Sequence, residues 1–370
     1  MKIVIAIEAV VVVALLIIAT LLCVNLATTA PQSATLENQE QAQVQQAGPG
    51  DAQSTDKGQS AGSEETPEGT IPTEMESTQS GTVETEPTWL HHEPGREILA
   101  EQYFVYDVEN SSFVTISGNL DERIYPASVT KLFTCYVALQ YLEPEEVITV
   151  GDELDFVVYG SSVADLREGD KLTVSQLVEA MLLPSGNDAA YVLAVNAGRR
   201  ICGDSSAGMY WAVEVFMNEM NKQVKEVGMT GTHFANPDGI HSDSHYTTFG
   251  DLAVLAAMSI KDDTIMKNAV IAEDTVTFIE RGAYRGSGDE ENTGDTVKWK
   301  NTNELINPAS EYYCPYATGL KTGQTPYAGS CLLSSFEYEG KSYIIGVFKC
   351  PEKEDRFDDT LQLFNETIAY

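Results

Sequence analysis

The sequence predicts an α+β domain, an antiparallel sheet with helices packed on it. Two observations carry the prediction. From about residue 96 onward, segments that alternate apolar and polar residues come first and nearly last. The stretch between them, and the C-terminal tail, repeat apolar residues at helical spacing. Strands at both ends with helices inserted argue for layers rather than for a repeating strand–helix–strand unit.

The elements follow in order. Residues 103–108 and 112–118 alternate around Glu109-Asn-Ser-Ser112, a hairpin signal. Leu132, Phe133, Tyr136, Val137 and Leu139 continue a helical pattern from Ser128 until Pro144 stops it. Thr173-Val-Ser-Gln176 reads as a capping box that opens a helix over 177–183. Further helices are expected from Asp188, over 207–227 with Gly228 behind it, and over 248–260. Residues 316–324, 329–338 and 341–349 read as strands, the last two joined at Glu339-Gly340. Residues 356–369 close the chain as a helix with Phe357, Leu361, Phe364 and Ile368 on one face.

Composition divides the 370 residues into three parts. Residues 3–27 are almost wholly apolar, with Glu8 the only charge, long enough to cross a bilayer, and Lys2 before them favours a cytoplasmic N-terminus. Residues 1–27 are therefore expected to be a transmembrane anchor. A cleaved signal peptide is the alternative, against which stand the length of the run and Pro31 after Ala30. Residues 28–95 are rich in Gln, Ser, Thr, Glu, Gly and Pro, too poor in apolar groups for a core, and read as a disordered acidic linker. Residues 96–370 form one domain of ordinary size. A net charge of −34 argues against nucleic acid as a partner. The cysteines lack the close spacing of a disulfide or zinc scaffold, so Cys135, Cys314, Cys331 and Cys350 read as buried free thiols.

Three motifs carry chemistry: Ser128-Val-Thr-Lys131, Ser185-Gly-Asn187 and Lys321-Thr-Gly323. Singly they read as a helix cap, a turn and a strand lysine. In this order they describe a serine acyl-transfer site whose base is a lysine. Ser128 opens a helix, which aims its hydroxyl into a cleft and turns its own N–H toward a developing oxyanion. Lys131 lies one turn later on the same face. It serves as base only if burial or a second cation, Lys321, lowers its proton affinity. Ser185 and Asn187 sit in a turn to which Gly186 lends freedom. Gly323 permits a close backbone approach, expected to be that of a peptide-like ligand. Lys321 is expected to stay charged. His233, His241 and His245 with Asp238 and Asp243 fall in a loop broken by Pro237 and Gly239, so neither a metal nor any other cofactor is expected.

The surrounding words extend the pattern. Pro126-Ala-Ser-Val-Thr-Lys131, Leu183-Pro-Ser-Gly-Asn-Asp-Ala-Ala190, Asn236-Pro-Asp-Gly239 and Gly319-Leu-Lys-Thr-Gly323 resemble the D-alanyl-D-alanine carboxypeptidases, the low-molecular-weight penicillin-binding proteins. The resemblance implies a sheet of about five strands flanked by helices, with the site between sheet and helical lobe. It implies that Ser185 relays a proton to the leaving group and that Asn187 binds a substrate amide. Lys321 and Thr322 would meet the substrate's terminal carboxylate, and the strand would pair with the substrate. The Gln324 N–H would complete the oxyanion hole. Arg356 matches a family position near the carboxylate pocket; a surface ion pair is its alternative. The implied partners are the peptidoglycan stem peptide and, as covalent inhibitors, β-lactams. Relatives with a C-terminal anchor would be matched here by the N-terminal run, which places the catalytic domain outside the cytoplasm. A β-lactamase needs a dedicated water-activating carboxylate, and the sequence after Asn187 offers no convincing Glu-x-x-x-Asn word, only the helical Glu214–Glu226 region. A non-catalytic wall-binding module would have no need of three intact motifs.

Overall fold

A computed structural model describes residues 96–282 and 295–369; the expected anchor (1–27) and linker (28–95) lie outside the described residues. Strands β1 (Gln102–Asp107) and β2 (Ser112–Ile116) form the first hairpin. A 3-10 turn, Ala127–Val129, leads into helix α1 (Thr130–Ala138). After the short ribbon β3 (Val147–Thr149) and β4 (Lys171–Thr173) come α2 (Val174–Leu182), α3 (Asn187–Cys202) and α4 (Met209–Glu226). Helices α5 (Phe249–Ser259) and α6 (Asp263–Ala269) precede a second ribbon, β5 (Glu273–Thr277) with β6 (Thr296–Lys300). The chain ends with β7 (Ala317–Thr325), β8 (Gly329–Tyr338), β9 (Lys341–Cys350) and α7 (Asp355–Thr367).

The main sheet is antiparallel, in the order β2-β1-β9-β8-β7. The first hairpin therefore joins the last through β1 and β9, and β7 is left at an edge. Strand periodicity of two sends neighbouring residues to opposite faces. Phe104, Leu333, Ile344 and Phe348 enter the core shared with the helical lobe, while Val105, Leu332, Ile345 and Val347 meet Phe357, Leu361 and Phe364 of α7. The predicted turn at Glu339-Gly340 has φ of 51° and 74°, the left-handed pair that a tight hairpin requires. The Thr173/Gln176 capping box is present in both directions. Asp359 fastens the start of the domain to α7, accepting from the Leu99 and Ala100 N–H groups and from Arg96.

The four ribbon strands and α6 were not expected from the sequence. β3 and β4 have three residues each, too few to show alternation, and β5 and β6 are mostly exposed. Helix α6 has seven residues and depends on its Asp262 cap, which accepts from the Thr264 and Ile265 N–H groups. Among the described residues no helix is long and apolar enough to cross a membrane.

Candidate active site

The helix start that presents Ser128 is tightly constrained. Ala127 has φ of 47°, a left-handed conformation rare for a residue with a Cβ. The turn Asn236-Pro-Asp-Gly239 presses against it, and a Cβ on Gly239 would lie 2.1 Å from the Ala127 carbonyl oxygen. His245 locks the same corner. Its Nδ1 accepts from the Ala235 N–H, so Nε2 carries the proton and donates to Thr130 Oγ1, which donates to the Ala127 carbonyl. Burial, then the charges of His233, His241 and Lys131, push His245 down to about 3, so it stays neutral. The histidines noted in the sequence are thus dispersed. His245 is structural, His233 donates to the Ser244 carbonyl, and His241 stacks on Tyr327.

Lys131 is fully buried one turn beyond Ser128, which is itself partly exposed. Its Nζ donates to Ser128 Oγ at 3.0 Å, Asn187 Oδ1 at 2.7 Å and the Asp238 backbone carbonyl at 2.6 Å. Burial pulls it down to about 8, against the opposing pull of the Asp238 and Asp188 carboxylates. Asn187 commits its carbonyl oxygen to Lys131, which leaves the NH2 end to face a ligand. The turn before it departs from expectation. Ser185, not Gly186, takes the left-handed conformation, with φ of 65° against −60°. Gly186 is needed for space, since a Cβ there would lie 2.7 Å from the Ala180 carbonyl oxygen. Asp188 accepts from the Ala164, Leu166 and Ala189 N–H groups and ties the 160s loop to the site.

Strand β7 forms the opposite wall. Lys321 is buried, and its Nζ donates to the Thr322 carbonyl at 3.1 Å. The Thr322 hydroxyl meets that of Thr302 at 2.6 Å. The close approach at Gly323 is made by the protein itself, not only by a ligand: a Cβ there would sit 3.0 Å from the Pro126 carbonyl oxygen and 3.1 Å from the Ser128 nitrogen. Gly323 lets the edge strand lie against the nucleophile's own N–H. Gln324 follows with its side chain exposed. Arg356, at the start of α7, is buried rather than in a surface ion pair. Its Nη1 reaches the Gly323 carbonyl at 3.5 Å, and its Nε is buried without a protein partner. Burial, then Lys131 and Arg356, push Lys321 well below the lysine range. In the free site Lys321 is therefore less firmly charged than the sequence reading held. An incoming carboxylate would restore its charge.

The family is decided at this point. A profile described as D-alanyl-D-alanine carboxypeptidase (peptidase S11) matches residues 88–351. The chain belongs to the D-alanyl-D-alanine carboxypeptidase family. It is 33% identical over 272 residues to a D-alanyl-D-alanine carboxypeptidase of Streptomyces sp. (strain K15), covering 71% of this chain and 86% of that protein. It is 28% identical over 271 residues to DacF of Bacillus subtilis, covering 72% of this chain but 60% of the relative. The crystal structure of the Streptomyces K15 DD-transpeptidase superposes with a TM-score of 0.65 at 29% identity, over 74% of this chain and 99% of that one. Penicillin-binding protein D2 of Listeria monocytogenes in its ampicillin-bound form gives 0.57 at 26% identity, over 74% and 99%. The carboxypeptidase family thus accounts for the antiparallel sheet and its flanking helices.

Proposed function

We propose that this chain is a serine D-Ala-D-Ala carboxypeptidase that removes the terminal D-Ala from peptidoglycan stem peptides through an acyl-enzyme on Ser128. The observation that carries the reading is the 3.0 Å hydrogen bond from a fully buried lysine, Lys131, to the Ser128 hydroxyl. A lysine with its proton affinity lowered to about 8 is partly neutral at physiological pH and accepts the hydroxyl proton as Ser128 attacks. The Ser128 and Gln324 N–H groups receive the oxyanion. Lys321, Thr322 and Arg356 take the terminal carboxylate, for which the unpartnered Arg356 Nε is a ready donor. The edge of β7 pairs with the peptide backbone, and the Asn187 NH2 meets a substrate amide. Ser185 passes a proton to the departing D-Ala amine, and water then releases the shortened peptide. A β-lactam follows the same first half and stays on Ser128. The 1–27 segment anchors the enzyme in the membrane, the linker holds it away, and the 96–370 domain works outside the cytoplasm.

The test is release of D-Ala from a D-Ala-D-Ala peptide, together with intact-mass labelling by penicillin. Ser128→Ala should lose both while keeping its fold. A label that persists in Ser128→Ala, or maps elsewhere, overturns the assignment. Label without peptide turnover would leave a penicillin-binding module.

A further inference from the structure

One buried ionisable group at the site has no part in the scheme above. The Asp238 side chain is 1% exposed. One carboxyl oxygen accepts from the Ile240 N–H at 3.1 Å; the other, Oδ2, is buried with no partner. A carboxylate kept dry and half-satisfied is costly unless a cation compensates it. Burial raises the proton affinity of this carboxyl, and the group that most opposes the rise is Lys131, whose Nζ lies 2.6 Å from the backbone carbonyl of the same residue. The turn cannot swing away. Pro237 accepts from Thr134 through its carbonyl, Asn236 bonds both the Gly239 N–H and the Ile240 carbonyl, and Gly239 is wedged against Ala127.

We propose that Asp238 is a positioning residue of the acylation step, its buried carboxylate acting as the counter-charge that holds the Lys131 ammonium in the dry cleft. The groups facing Lys131 are Asp238 from the turn, Asp188 from α3, Lys321 from β7 and the neutral His245. Asp188 is satisfied by three backbone N–H groups, so its charge is partly spent; Asp238 has one. Asp238 is the group that raises Lys131 most. Without it, burial acts on Lys131 with less opposition. The carboxylate makes Lys131 a stronger base but delays the pH at which that base becomes free.

The inference rests on the reading of Lys131 as base, and the experiment separates the two. The second-order rate of Ser128 acylation by an uncharged thioester is measured by intact mass across pH for the full chain and for Asp238→Asn. The asparagine is nearly isosteric and can still accept from Ile240. A nearby opposite charge moves a titration by about 1 unit or more. The alkaline-rising limb should therefore move down by about 1 pH unit in Asp238→Asn, and its plateau should fall as the base weakens. The fraction of plateau rate at pH 7 should rise roughly fivefold. Asp238→Ser should move the limb in the same direction, which covers a folding defect peculiar to one variant. A purely structural role would lower the rate at every pH and leave the limb in place; that result overturns the inference alone. A flat profile in the unaltered chain overturns the reading of Lys131 and the inference with it.

Discussion

At the residue scale the site depends on placing two lysines in one dry cleft. Lys131 is drawn down to about 8, so acylation should rise through that pH and level off above it, because the neutral amine is the base. Lys131→Arg should acylate at least about a hundredfold more slowly, since a guanidinium keeps its proton in this range. Lys321→Arg preserves a cation for the carboxylate and should keep more acylation than Lys131→Arg, with weaker peptide binding. Rates of penicillin labelling from pH 5 to 10 for the three proteins check both statements. Near wild-type acylation by Lys131→Arg would remove Lys131 from the mechanism. The three motif words were legible in the sequence because each is local. The partners that tune them were not: Asp238 and Thr302 are distant from them in the chain, Asp188 adjoins one motif but acts on the lysine of another, and nothing local marks which carboxylate will be buried beside which amine.

At the element scale the nucleophile is held by packing between backbones. The turn at 236–239 and the strand at Gly323 both press on Pro126–Ser128; a Cβ has no room at Gly239 and only a tight fit at Gly323. Gly239→Ala would add a Cβ at a φ of 89° against the Ala127 carbonyl. It should cost about 2–4 kcal/mol from strain and overpacking, and reduce acylation even at temperatures where the protein stays folded. Thermal melts and labelling rates check the two effects separately. Helix α2 supplies a pH-dependent case. Burial, then the Asp274 carboxylate of β5, raise Glu179 from 4.5 to about 7. The unfolded chain releases that proton first, so stability should fall as pH rises between these values, and the whole penalty is present above pH 7. Glu179→Gln should therefore raise Tm at pH 8 and have much less effect at pH 4. An equal gain at both would exclude the carboxyl as the cause.

At the scale of the molecule, the ends of the domain hold each other. β1 pairs with β9, and Asp359 of α7 takes the Leu99 and Ala100 N–H groups and Arg96. A chain starting at residue 96 should be soluble, folded and as active as the full chain on a soluble peptide. One starting at 101 strips Asp359 of its partners while leaving it buried, and should lose about 2–4 kcal/mol of stability. Melting curves of the two truncations compare them directly. For the full chain, an uncleaved anchor requires an N-terminus at or next to Met1 and retention in membranes after a high-salt wash. An N-terminus near Pro31 would point to cleavage.

What the sequence determined by itself was whatever repeats or acts over a few residues. This covers the two hairpins, the amphipathic closing helix, the Thr173 cap, and the order of three motifs that resemble one family. Alternation, capping and turn chemistry are local, so they are visible before folding. The tertiary structure alone decided which glycine makes room for backbone and which residue bears the left-handed turn. It also decided where the short ribbons form, that Arg356 is buried, and that Lys321 shares its cleft with two other cations. Each of these depends on burial or on contact between distant segments. Desolvation and charge act through space, and the distance from Asp238 to Lys131 along the chain says nothing of their separation in the fold.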